Sequence, residues 1–80
     1  MSKDQVVLSI TKDRTILIDR YKVPLSGLAD KLRAVYKNRA DKEIFLNADK
    51  SVPYGFVVKT MAEIKAAGID RMSLITESPD

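Results

Sequence analysis

The sequence predicts an α+β fold: a two-layer domain, with a small mixed β-sheet and two helices on one face, in the order β-β-α-β-α-β. Three observations lead there. The chain has 80 residues, enough for one domain and no more. Its first twenty residues carry two short runs that alternate apolar and polar, the period of a half-buried strand. Two later stretches repeat apolar residues every three or four positions, and a short apolar run follows each. Residues 1–80 are therefore read as a single domain, with 1–5 and 77–80 expected to be flexible.

Taken in order, Val6 to Ile10 places Val6, Leu8 and Ile10 on one face and Val7 and Ser9 on the other. Thr11-Lys12-Asp13-Arg14 is a polar turn, and Thr15 to Asp19 resumes the strand with Ile16 and Ile18 on one face. The turn lacks the usual glycine, so its type stays open. Pro24 and Ser26 announce the first helix, with Ser26 as the predicted N-cap. Leu25, Leu28, Ala29, Leu32, Val35 and Tyr36 then trace one helical face, which should fade at Asn38. Glu43 to Ala48 is short and apolar, as a central strand should be. The second helix is predicted from Pro53 or Tyr54 to Ala67, burying Val57, Val58, Met61 and Ile64, with Gly68 as its left-handed C′ residue. Arg71 to Thr76 is the last strand, and its crossover from the preceding parallel strand should be right-handed.

Composition removes several function classes. There is no cysteine, hence neither a disulfide framework nor thiolate chemistry, and no histidine, hence no Ser-His-Asp or Cys-His catalysis. Zinc sites go with them, and no cofactor is expected. A domain of this size buries only roughly 60–65% of its unfolded surface, so a large internal substrate cavity is not expected. The net charge of +3 comes from 14 basic and 11 acidic residues, and Lys31, Arg33, Lys37, Arg39 and Lys42 cluster between positions 30 and 42. That cluster reads as a solvated helix face running into a charged loop. The aromatic residues are scattered rather than set as base-stacking platforms, so no nucleic-acid partner is expected. No run approaches the roughly 20 apolar residues of a membrane span, and the opening Met-Ser-Lys-Asp has no apolar segment behind it to form a signal peptide.

The stretch NADKSVPYGFVVKT, Asn47 to Thr60, sets an acid, a base, a hydroxyl and a tyrosine at a strand-to-helix junction. Catalysis fits it poorly. Adjacent residues of extended chain point to opposite sides, so Lys50 is badly placed to deprotonate Ser51, and Gly55 alone is no phosphate loop. A structural reading accounts for more. Pro53 suits a first helical turn and keeps Val52 extended, while Asp49 or Ser51 can accept from the open amides of the helix start. Tyr54 is expected in the core, with its hydroxyl at a cap or a partner contact.

Together these residues resemble the ExbD/TolR family, in its periplasmic domain. The likeness is carried by Ala48-Asp49-Lys50-x-Val52-x-Tyr54, then by VVKTMAEIKAAGIDRMSLITE, and extends over about residues 5–77. Where members often carry glycine in or after the first hairpin, this chain has Arg14 and Arg20. Members begin with a cytoplasmic tail and one transmembrane helix bearing an ion-handling aspartate. Nothing in this sequence corresponds to either, so the chain is expected to be an excised periplasmic domain of an inner-membrane, single-pass protein of a Gram-negative bacterium.

The resemblance implies an accessory, non-enzymatic subunit of an ion-potential-driven inner-membrane motor. In the ExbD arrangement the partners are an ExbB-like membrane protein and a TonB-like periplasmic protein, and the work is outer-membrane uptake of siderophores and similar cargo. In the TolR arrangement they are TolQ and TolA, with peptidoglycan as a ligand that Lys50 or Arg39 can meet. ExbD is favoured by the compact loops and the short tail after Thr76. A homodimer is expected. Asp49, Lys50 and Tyr54 are the motif and partner-facing candidates. Met72, Leu74 and Ile75 are the candidates for dimer or strand-addition contacts, should the last strand lie at an edge.

Overall fold

A computed structural model describes residues 5–76. The expectation of flexible ends falls, Gln5 apart, outside the described residues. Val7–Ile10 (β1) and Ile16–Ile18 (β2) pair antiparallel, with Leu8 opposite Ile18 and Ile10 opposite Ile16. In the connecting turn the Arg14 amide donates to the Thr11 carbonyl at 2.9 Å, and the Thr11 amide to the Thr15 carbonyl at 2.9 Å. Arg14 itself sits at φ 69°, the left-handed position that closes a type I turn with a bulge and that glycine ordinarily fills. Asp19, at φ 57°, opens a second tight turn into a strand that the alternation did not reveal, Tyr21–Lys22 (β3). Two exposed residues carry too little pattern to be read.

The chain then passes buried Val23 into a 3₁₀ turn, Leu25–Gly27, and the helix Leu28–Tyr36 (α1). Ser26 lies inside that turn and caps nothing; the Gly27 amide donates to the Pro24 carbonyl at 3.0 Å instead. Leu28, Leu32 and Tyr36 are buried, the helical face read from the sequence. α1 ends at Tyr36 rather than Asn38. There the Lys42 ammonium donates to the carbonyls of Tyr36 at 3.3 Å and Arg39 at 2.7 Å, satisfying acceptors at the negative end of the helix.

Glu43–Ala48 (β4) runs parallel to β1, and Arg71–Thr76 (β5) runs parallel to β4, giving the order β3-β2-β1-β4-β5. Between β4 and β5 lies the helix Tyr54–Ala66 (α2). Leu8, Ile10, Ile16, Ile18, Ile44 and Leu46 all point to one face of the sheet and form a single buried cluster with Leu28, Leu32 and Tyr36 of α1 and Ile64 of α2. Both helices therefore cover the same face. The other face, with Val7, Ser9, Leu17, Phe45, Asn47 and Ser73, stays half-exposed.

α2 departs from its expected face. Val58 is 43% exposed, and buried Thr60 takes its place. The Thr60 hydroxyl donates to the Phe56 carbonyl at 2.9 Å, so its polar atom is satisfied within the helix and its methyl can face the core. The helix ends as expected at Gly68, φ +89°. The Gly68 amide bonds the Lys65 carbonyl at 2.9 Å and the Ile69 amide the Ile64 carbonyl at 3.4 Å, the paired bonds of a Schellman cap. The Arg33 guanidinium pairs with Asp30 at 2.7 Å and donates to the Ala66 carbonyl at 3.2 Å, tying α1 to the end of α2.

Candidate functional site

At the β4–α2 junction the Asp49 carboxylate closes a turn of its own rather than capping the helix. Its Oδ1 accepts from the Ser51 amide at 2.9 Å and the Ser51 hydroxyl at 2.6 Å. These bonds, the hydroxyl's foremost, hold the Asp49 carboxyl below its ordinary value, with smaller contributions from Lys12 and Lys50. A carboxylate stabilised in its charged form is a poor proton acceptor, and a serine hydroxyl donating to it is not an activated nucleophile. No side chain caps α2; the Pro53 carbonyl accepts from the amides of Phe56 at 3.0 Å and Val57 at 3.3 Å. Val52 is buried and anchors the loop, while Lys50 points into solvent.

Tyr54 is not in the core. It stands 80% exposed in the first turn of α2, so the expectation from its ring fails. The buried face of the helix starts at Phe56 and Val57, which leaves Tyr54 on the flank. Val58, four residues on, shares that exposure, and neither residue has an apolar neighbour that buries it.

The last strand lies at an edge of the sheet, beside β4 only among the described residues. Its orientation follows from β4. The amides of Phe45 and Asp49 donate to the β1 carbonyls of Val6 at 3.0 Å and Ile10 at 2.9 Å, so the odd-numbered residues of β4 face β1. The even-numbered ones face β5. With Leu46 opposite Leu74, the bonds of Leu46 run to Ser73 and Ile75. The backbone groups of Met72 and Leu74 therefore point outward. Leu74 is 57% and Ile75 45% exposed, on opposite faces of the strand, while Met72 packs partly against the core. At the start of β5, Arg71 pairs with Asp41 and lies 3.8 Å from Glu43.

The junction and the edge meet at one end of the sheet. Arg39 lies at the other, in an open hollow with Gln5, Asp41, Glu43 and Phe45, its guanidinium 5.7 Å from the Tyr36 ring centroid. Lys50 and Arg39 are thus separated by the length of β4, roughly 16 Å, and do not form one site. The sequence reading also passed over Asn47. It sits mid-sheet on the half-exposed face beside a shallow depression lined by Ser9, Thr11, Lys12 and Asp49. Its buried Oδ1 has no partner among the described residues. A polar residue at an outward position of a strand gives no signal in sequence that one of its atoms will be covered.

Among the described residues the sheet thus has one half-exposed face and one long open edge, with both helices on its other face. The chain belongs to the family described as Biopolymer transport protein ExbD/TolR, whose profile matches residues 1–78. It is 37% identical over 57 residues to the Tol-Pal system protein TolR of Pseudomonas aeruginosa, covering 71% of this chain and 39% of that protein. It is 35% identical over 74 residues to the biopolymer transport protein ExbD of the same organism, covering 92% of this chain and 56% of that protein. The matches therefore span less than two thirds of either relative. Among the described residues no helix is long and apolar enough to cross a membrane.

Proposed function

We propose that this chain is the periplasmic domain of an accessory subunit in an inner-membrane motor of the ExbB–ExbD–TonB type. In this reading it dimerises, stands beside an ExbB-like membrane protein, and contacts a TonB-like periplasmic protein to energise outer-membrane uptake. The β5 edge is the observation that carries the reading. It offers outward backbone groups at Met72 and Leu74 beside exposed apolar side chains, which suits addition of an extended partner strand. The ExbD match, extending over 92% of the chain, supports this form of the family.

The higher identity to TolR, 37%, favours a second reading in which the domain serves a Tol system and binds peptidoglycan. Because Lys50 and Arg39 lie at opposite ends of the sheet, a glycan meeting both has to run along it.

The test is a residue-resolved NMR titration of the isotopically labelled domain. One series adds extended peptides from a periplasmic TonB, the other soluble peptidoglycan fragments. Saturable shifts along β5 with the peptides alone are expected. Shifts with the glycan alone would transfer the protein to the Tol reading. Full amide protection at Met72 and Leu74 in the free monomer would count against strand addition.

A further inference from the structure

The exposed flank of α2 lies on the same side of the domain as the open edge of β5. About 100° of rotation per residue, measured from buried Ile64, places Met61 about 60°, Tyr54 about 80° and Val58 about 120° to one side. Phe56 and Glu63 fall to the other. A parallel crossover is right-handed, so with α2 running against β4 and β5 the first flank faces the β5 edge and the second faces α1. The side chains of Met72 and Leu74 rise from β5 on the helix-covered face, in register with Ile44 and Leu46. Tyr54, Val58, Met61, Met72 and Leu74 therefore border one strip of surface, with outward backbone groups as its floor.

We propose that this strip is a groove for an extended segment of a partner, in which every second residue is apolar. The inference rests on the strand-addition reading above and adds to it the part that selects. A strand hydrogen-bonded to β5 lies roughly 4.8 Å farther out, and its alternate side chains stand on the helix side of the sheet. There they fill the space between Leu74 and the Tyr54–Met61 flank, with Val58 at the outer rim. Backbone bonds hold any extended segment; the α2 flank prefers one with small or branched apolar groups at alternate positions. Charge decides between occupants. Lys65 lies exposed on the same flank near Arg71, where Asp41, Glu43 and Asp70 offset the two cations, so the discriminating charge is that of the whole chain. A second copy of this chain brings another net +3, whereas a partner segment of net negative charge is attracted.

The probes are two acetylated peptides of about nine residues with identical composition. In one, valine alternates with threonine and glutamate; in the other, the valines are contiguous. Binding is followed through the amide shifts of β5 for the parent domain, the Tyr54→Ser/Val58→Ser double variant and Leu74→Pro. The double variant changes exposed side chains only. Leu74→Pro removes an outward amide while leaving the β4 pairing intact, and Leu74→Ala, which removes the same side chain but keeps the amide, isolates the amide's share. The alternating peptide should saturate the parent and bind about tenfold more weakly to the double variant and to Leu74→Pro, and its isomer should bind the parent more weakly still. If Leu74→Pro loses binding while the double variant and Leu74→Ala keep it, the groove is overturned and edge addition stands. If neither the double variant nor Leu74→Pro changes affinity, or no peptide moves β5, strand addition itself falls. Identical β5 shifts on concentrating the domain without peptide would make a second copy the occupant and overturn the inference.

Discussion

Replacing Tyr36 with phenylalanine isolates one bond that joins α1 to the start of β4. The buried Tyr36 hydroxyl donates to the Glu43 carbonyl at 2.6 Å. Phenylalanine keeps the ring, its packing against the core and its contact with the Arg39 guanidinium, so the loss is confined to that bond. A neutral hydrogen bond contributes about 1 kcal/mol, rising to about 2 kcal/mol where the acceptor is left without a partner. For a chain of this length the thermal midpoint should fall by about 5–15 °C. Alkaline pH adds a second signature. Burial, ahead of the opposing pull of Arg39, raises the Tyr36 phenol from 10.0 to about 12. The stability due to the neutral phenol is fully present below pH 10 and is lost as pH rises through the folded value. The variant has no such loss, so the gap between the two proteins should narrow between pH 10 and 12. Urea unfolding followed by circular dichroism across that range measures it. Equal stability at neutral pH, or a gap that stays constant up to pH 12, would refute the reasoning.

Two glycines should respond with opposite signs to alanine. Gly68→Ala should destabilise by about 1 kcal/mol, because a Cβ there meets open space and only the backbone at φ +89° resists. Gly55→Ala, also in open space but with no positive φ in the first turn of α2, should stabilise by about 0.5–1 kcal/mol; chemical denaturation compares the pair. Arg14→Gly should stabilise by about 0.5–1 kcal/mol, since the relief of a left-handed residue outweighs the added chain entropy. A lower denaturation midpoint for that variant would show that the Thr11–Thr15 turn does not hold its left-handed position. Asp49→Ala should lose stability at neutral pH but not near the acid limit. Its folded value is depressed, so the contribution is present above the ordinary value of 3.8 and disappears as pH falls through the lower folded one. A gap independent of pH would remove Asp49 from the turn's energetics.

What could be read in the sequence was whatever carried a long, regular pattern. The alternation of Val6, Leu8 and Ile10, the α1 stripe and the Gly68 cap all translate directly into the fold. β3 was missed because two exposed residues have no period. The α2 face was misphased at Val58, since hydropathy counts a valine as core and a threonine as surface. A bond from the Thr60 hydroxyl to its own helix reverses that order. Tyr54 was misplaced for a related reason: its ring reports how much apolar area it carries, not which flank of the helix it occupies. Whether Met72, Leu74 and Ile75 bordered an edge depended on strand order, a non-local property of parallel pairing that no run of residues encodes by itself.

The two ends of the sheet are not equivalent. β3 presents two residues, beside the charges of Arg20 and Lys22, whereas β5 presents six, with no charged side chain from Met72 to Thr76. As a unit of assembly the domain is monovalent with respect to its sheet. A second copy joining through β5 would consume the one long edge that each offers among the described residues, and growth would terminate at a pair instead of continuing into a filament. In the strand-addition reading a twin and a foreign strand become rivals for one set of amides, so binding one withholds the edge from the other.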